Sequence, residues 1–107
     1  MAGKPKRARV ARRERQRDLR KGVSQRERAA TAAPGGSAEH PVLVSSASVV
    51  EGRARSTPCP QCGGVLDVEA HDAEMVAGEL LRAVRVVCRL CHARRRLWFL
   101  VQPALAN

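Results

Sequence analysis

The sequence predicts a small all-β domain, a three-stranded antiparallel sheet with two Cys-x-x-Cys turns, preceded by a basic N-terminal arm that is helical or disordered. Three observations support this fold class. The four cysteines form two pairs, Cys59/Cys62 and Cys88/Cys91. Two segments near these pairs alternate between apolar and polar residues, as half-buried strands do, and a third between them is rich in β-forming residues. Most of the net charge of +10 lies in residues 1–33.

The basic arm, residues 1–33, carries 12 of the 20 basic residues and three acidic ones, a net charge of +9 (12 − 3). Helix-forming residues are frequent in it, but Val10, Leu19 and Val23 make no continuous apolar stripe. A helix that is polar all round has no core to pack on, so it is exposed or only transiently formed. Segments of this kind order on polyanions, which predicts contact with nucleic acid. The arm residues expected to make this contact are Arg12, Arg13, Arg17 and Arg20.

A linker, residues 34–56, separates the arm from the cysteines. It opens with the breaker-rich "PGGSAEHP". The following "VLVSSASVV", residues 42–50, is apolar enough for a weak strand, and "EGRARSTP", residues 51–58, has the composition of a loop. We therefore expect the folded domain to span residues 57–102, with 103–107 as a tail.

The first predicted strand, residues 65–71, places Leu66, Val68 and Ala70 on one face and His71 on the other. A hairpin connection over residues 72–79 follows, with a turn at Gly78.

The second strand, residues 80–87, has Leu80, Val84 and Val86 on one face. In the third strand, residues 94–101, Phe99 and Trp98 lie on opposite faces, and we assign Phe99 to the core.

The cysteine pairs allow three chemistries. "CRLCH" matches a haem attachment motif, but that motif requires export, and the start of the chain lacks the apolar region of a secretory signal. "CPQC" resembles glutaredoxin active sites, where a helix follows the first cysteine and lowers its pKa. Here two glycines and an alternating strand follow instead. The third possibility is a tetrahedral zinc site built from both pairs.

The spacing favours zinc. The 25 residues between the pairs can form two strands and a loop, which would bring both turns together. A cytosolic chain keeps its thiols reduced, so paired cysteines there favour metal over disulfides. We predict one structural Zn²⁺ bound by Cys59, Cys62, Cys88 and Cys91. His92 adjoins a ligand and is expected to be a bystander. Gly63 and Gly64 suit a close turn.

The segment "CPQCGGVLDV…VRVVCRLCHARRRLWFLV" resembles a zinc ribbon over residues 57–102. This resemblance implies the fold and the metal but no particular function. Arginines without intervening acidic residues cluster around the second pair, and arginine suits phosphate contact. Trp98 could stack on a base. The residues of this face expected to contact nucleic acid are Arg85, Arg89, Arg94, Arg95, Arg96 and Trp98.

The sequence therefore predicts a non-enzymatic structural zinc protein that binds nucleic acid or a nucleic-acid machine. A protein–protein adaptor and a Cys-x-x-Cys thiol oxidoreductase are the alternatives. No segment is long and apolar enough to span a membrane, and no feature predicts a small-molecule substrate or an oligomeric state. We expect a cytoplasmic protein. The excess of arginine over lysine and the absence of isoleucine indicate GC-rich, bacterial coding.

Overall fold

The computed structural model, which describes residues 8–103, consists of a long helix, a short helix and a four-stranded mixed sheet. Residues 1–7 of the predicted arm and 104–107 of the predicted tail lie outside the described residues. The elements are α1 (Ala8–Ala32), β1 (Val42–Val44), a 3-10 turn (Ala47–Val49), α2 (Val50–Ser56), β2 (Leu66–Val76), β3 (Glu79–Cys88) and β4 (Arg94–Val101). No helix within residues 8–103 combines the length and the apolar character that crossing a bilayer requires.

Helix α1 forms most of the basic arm, so of the two predicted states the structure has the helical one. It spans 25 residues and buries none of its side chains. The helix ends just before Pro34, which has no backbone N–H and is disfavoured in a helix interior. Because α1 has no buried face, only polar contacts can hold it against the rest of the chain.

The sheet has the strand order β1-β4-β3-β2. The three predicted strands are antiparallel neighbours, with Val84 of β3 opposite Leu97 of β4. The sheet is not three-stranded, however, because β1 pairs in parallel with the end of β4 and places Val42 opposite Phe99. The weak strand predicted over residues 42–50 is thus only three residues long and makes the sheet mixed.

Helix α2 replaces a predicted loop. Its residues Val50 and Ala54 are both fully buried and lie four positions apart, on one side of the helix. Two apolar residues within seven, next to Gly52 and two arginines, give little sequence signal for a helix. Burial against the sheet is what stabilises this element.

The two faces of the sheet carry separate hydrophobic clusters. The face covered by α2 buries Leu66, Val84, Val86, Leu97 and Phe99. Phe99 is 2% exposed, which confirms its assignment to the core. The opposite face packs Leu81, Ala83 and Trp98 against Ala38 of the linker.

A β-bulge in β2 corrects the predicted alternation. The register shifts between Val68 and Ala70, so that His71 lies opposite Val84. His71 therefore shares the α2 face with Val68, and Ala70 does not. There its Nδ1 lies 3.1 Å from Glu51 Oε2 of α2.

The β2–β3 hairpin is longer than predicted. Most of the expected connection over residues 72–79 is strand, and only Ala77 and Gly78 form the turn. Their φ angles are 50° and 84°, and a type I′ turn requires positive φ at both central residues. Gly78 is confirmed as a turn residue. Leu80, now at the hairpin end, is 56% exposed and does not join Val84 in the core.

Candidate metal centre

The four cysteine sulfurs form one cluster. All Sγ atoms of Cys59, Cys62, Cys88 and Cys91 lie within 4.8 Å of one another. The Sγ–Sγ distance is 3.4 Å for Cys62–Cys88 and 3.7 Å for Cys59–Cys91, and all four thiols are free. A tetrahedral zinc with Zn–S bonds of about 2.3 Å has S–S edges of about 3.8 Å. The cluster therefore has the donors and dimensions of a four-thiolate metal site, as predicted.

The first Cys-x-x-Cys pair lies in a tight turn between α2 and β2. The Gly63 N–H donates to the Cys59 carbonyl at 2.7 Å, and the Cys59 N–H donates to the Gly64 carbonyl at 2.9 Å. Gly63 has a φ of +77°, a conformation that costs other residues energy. Cys59 is buried and Cys62 is exposed, so this turn places one sulfur inside and one at the surface.

The second pair repeats the same turn between β3 and β4. The His92 N–H donates to the Cys88 carbonyl at 3.0 Å, and the Cys88 N–H donates to the Ala93 carbonyl at 2.9 Å. His92 thus occupies the position that Gly63 has in the first turn, with a φ of 62°. Histidine is among the non-glycine residues enriched in this region. The geometry gives His92 a backbone role in shaping the turn.

Gly64 allows the two turns to approach. A Cβ at this position would lie 2.8 Å from Cys88 Sγ, 3.2 Å from Cys62 Sγ and 3.0 Å from Leu90 Cβ. Any side chain would therefore enter the space between the sulfurs. The two glycines of "CGG" are required for different reasons. Gly63 adopts a positive φ, and Gly64 leaves room for the sulfurs of Cys62 and Cys88.

The thiols have unequal proton affinities. The Cys91 N–H, at 3.4 Å, and the Leu90 N–H, at 3.3 Å, donate to Cys88 Sγ. Led by the bond from Cys91, these contacts lower the pKa of Cys88 to about 6 against the opposing effect of burial. The Gly64 N–H acts to lower the pKa of Cys62, but bonds to the other thiols and burial together raise it to about 12. Backbone donors thus stabilise the anionic form at Cys88, as a metal ligand requires.

Gln61, between the first two cysteines, connects this centre to α1. Its Nε2 donates to the Val23 carbonyl at 3.1 Å and to Glu27 Oε1 at 2.7 Å. Its Oε1 accepts from Arg26 Nε at 2.8 Å. The side chain of Arg95, only 11% exposed, adds an ion pair to Glu27 at 2.6 Å. We call these four contacts the arm clamp.

The contacts of the arm clamp lower the pKa of Glu27. The hydrogen bond from Arg95, followed by that from Gln61, lowers the pKa of its carboxyl. Sequence analysis assigned Arg95 to nucleic-acid contact and did not identify Gln61 or Glu27. The middle positions of a Cys-x-x-Cys motif have no required chemistry, so no sequence signal pointed to Gln61.

The predicted nucleic-acid contacts fall into two groups by element. The arm residues all lie exposed on α1: Arg12, Arg13, Arg17 and Arg20. The remaining residues lie on β3, β4 and the second turn, and among them Arg95 contacts α1 through Glu27.

Most arginines of the predicted sheet face form ion pairs with carboxylates of β2 or α1, which are distant in sequence. The pairs are Arg89–Asp67 at 2.8 Å, Arg94–Glu69 at 3.1 Å, Arg95–Glu27 at 2.6 Å and Arg96–Glu74. The pKa of Asp67 is lowered, mainly by its hydrogen bonds from Arg89. Arg85 is exposed and forms no ion pair among the described residues. Trp98 is 9% exposed, and the guanidinium of Arg96 lies 4.4 Å from its ring centroid.

Compared with protein families, with curated proteins and with solved structures, the chain matches none of them.

Proposed function

We propose that this chain is a non-enzymatic zinc ribbon whose single structural Zn²⁺ fixes two turns and whose helix α1 binds nucleic acid. The observation that carries the proposal is the cluster of four free thiols within 4.8 Å, joined through the arm clamp to a basic helix. The two parts have separate chemistry and are supported by separate observations.

Zinc is the metal favoured by the donor set. Four thiolates in a tetrahedral arrangement suit Zn²⁺ and complete its coordination without water. A catalytic zinc keeps one position open, which four cysteine ligands do not provide. When bound, the ion would cross-link the two turns and contribute folding free energy directly. The residues that would hold it are Cys59, Cys62, Cys88 and Cys91.

The thiols are poorly arranged for redox catalysis. A nucleophilic cysteine needs a lowered pKa together with exposure. Cys59 and Cys88, the first cysteine of each pair, are both buried, so neither meets the requirement for exposure. Helix α2 ends before Cys59 and a strand follows Cys62, so no helix N-terminus activates either thiol. These features favour a metal ligand role for the cysteines.

Helix α1 is the element suited to a polyanion. Its 25 residues contain nine basic and three acidic side chains, a net charge of +6 (9 − 3). A helix of this length extends about 37 Å at 1.5 Å per residue. The arm clamp holds it only near its C-terminal end, at Val23, Arg26 and Glu27. The preceding turns are exposed, so their arginines are available to phosphates.

The test combines metal content with salt-dependent binding. We expect one zinc per chain in protein purified without chelator, and salt-dependent binding to fluorescein-labelled DNA and RNA. Replacing Arg12, Arg13, Arg17 and Arg20 by glutamine should reduce the slope of log K against log salt by about 3–4. The matched control replaces Arg53 and Arg55 on α2, which should leave the slope unchanged.

Two results would contradict the proposal. Protein without metal but with two fast-reacting thiols would support a thiol oxidoreductase. Binding to an acidic polypeptide but not to DNA or RNA would instead support the protein–protein adaptor.

A further inference from the structure

Strand β4 has an open backbone edge. Strand β1 covers only its last residues, Phe99–Val101, and the Trp98 N–H donates to the Gly35 carbonyl at 2.8 Å. Backbone groups of alternate residues in an antiparallel strand face the same side. Arg94 and Arg96 therefore direct their N–H and C=O groups to the same side as Trp98, away from β3. No strand pairs with them there within residues 8–103.

This edge forms one side of a groove of about 770 Å³. Ala30 and Thr31 of α1 line one wall, Pro58 and Pro60 beside the first cysteine turn line another, and Trp98 contributes from β4. The unpaired backbone thus lies in a recess with largely apolar walls. A single extended chain could run along β4 between these walls.

The groove also has a charge preference. Four basic residues line it: Arg85, Arg94, Arg95 and Arg96. Among the described residues, a single acidic side chain, that of Glu27, lines the groove. The side chains of Arg94 and Arg96 are 69% and 45% exposed, and exposed ion pairs contribute little, so their guanidinium groups can also serve a ligand. Arg85 has no ion pair in the described part of the chain.

We propose that this groove binds an extended acidic peptide segment, which adds to β4 as a further strand. The peptide would exchange backbone hydrogen bonds with Arg94 and Arg96 and place carboxylates near Arg85. A nucleic-acid strand fits less well because it offers no regular N–H donors to the strand carbonyls, and Arg96 already covers the Trp98 ring. A second copy of the chain would bring the same arginines face to face. The groove includes residues near the C-terminal end of α1 but none of Arg12, Arg13, Arg17 and Arg20, so the proposal does not depend on nucleic-acid binding by those arginines.

The experiment uses the zinc-loaded full chain and Trp98 fluorescence, since Trp98 is the only tryptophan and lines the groove. The probes are a capped peptide of alternating Glu and Thr, its Gln-Thr counterpart, and two versions N-methylated at all Glu or at all Thr residues. We expect saturable binding of the Glu-Thr peptide, with one N-methylated version about tenfold weaker, because only one set of N–H groups faces β4. The Gln-Thr peptide should also bind more weakly.

The protein variants separate this site from the arm. Arg85→Glu should weaken the acidic peptide about tenfold, a loss of roughly 1.4 kcal/mol. The matched control Arg53→Glu, which reverses an exposed charge on α2 outside the groove, should leave it unchanged. The fourfold glutamine variant of α1 should retain peptide binding even if it loses nucleic acid.

Three results would overturn the proposal. Equal affinity of both N-methylated peptides would show that charge alone drives binding and that the peptide does not add to β4 as a strand. Saturable quenching by oligothymidylate at concentrations where the peptide has no effect would assign the groove to nucleic acid. Absence of any saturable change up to about 1 mM peptide would remove the peptide site.

Discussion

Replacing Gly64 by alanine should weaken metal binding although it replaces none of the four cysteine ligands. The added Cβ would lie 2.8 Å from Cys88 Sγ and 3.2 Å from Cys62 Sγ, in a region bounded on a third side by Leu90. It would therefore press on one sulfur from each cysteine pair. Neither neighbour is the free end of a flexible side chain, because both sulfurs are held by the geometry of the site.

The structure gives the size of the effect. Non-bonded heavy atoms rest about 3.5–4.0 Å apart, so Cys88 Sγ must move by roughly 0.7 Å or more relative to residue 64. Metal–ligand distances tolerate deviations of only about 0.2 Å. Perturbing the surroundings of metal ligands typically lowers affinity about 10–100-fold. We expect a loss in this range, or about 1.4–2.7 kcal/mol, for Gly64→Ala.

Competition with a chromophoric zinc chelator measures this loss, and two glycines provide matched controls. Gly63→Ala meets no atom within 4 Å but strains a φ of +77°, so it should destabilise folding by about 1–2 kcal/mol. Gly52→Ala in α2 meets no atom within 4 Å and should stabilise the helix by about 0.5–1 kcal/mol. Unchanged zinc affinity in Gly64→Ala would refute the argument from close approach.

Three further predictions concern the turns and the arm clamp. His92→Gly should increase the free energy of unfolding by about 1 kcal/mol and so raise the thermal unfolding midpoint, because glycine adopts the φ of 62° without the steric cost of a Cβ. A lowered midpoint would contradict this. Glu27→Gln should increase hydrogen exchange of residues 23–32, because Arg95 loses its carboxylate; wild-type protection would contradict it. The Glu27 pKa is lowered in the folded chain, so its contribution to docking is present above the ordinary glutamate pKa and is lost as pH falls through the lowered value. A carboxyl ¹³C titration should place the midpoint below that of an exposed glutamate.

The cysteine site could be predicted from sequence because its information is local. Each pair fixes its own turn, and the intervening strands alternate clearly enough to bring the turns together. The elements that sequence analysis predicted incompletely or wrongly depend on tertiary contacts. Strand β1 has only three residues of the weak strand predicted over residues 42–50. The segment predicted as a loop is helix α2, because Val50 and Ala54 are buried against a sheet that forms later in the chain.

Register and charge pairing were equally inaccessible to local patterns. The bulge near Glu69 turns His71 to the other face, although residues 66–71 alternate without interruption in sequence. The arginines of β4 occur in a stretch without acidic residues, yet their partners come from β2 and α1. Glu27 and Arg95 are 68 positions apart. Counting charges along the chain therefore overestimated the free positive charge of the sheet.

The arm clamp explains how a metal site and a polar helix can act as one unit. Gln61 lies between two cysteines, so the position of its side chain follows from the geometry of the turn that the metal would fix. Helix α1 has no buried side chain, and hydrogen bonds and one ion pair must hold it in place. Such contacts are short-ranged and directional, so they require a rigid partner surface. Since Arg95 lies on β4, just after the second turn, both ends of the clamp depend on the cysteine cluster. Release of the metal should therefore undock α1 while leaving its net charge unchanged.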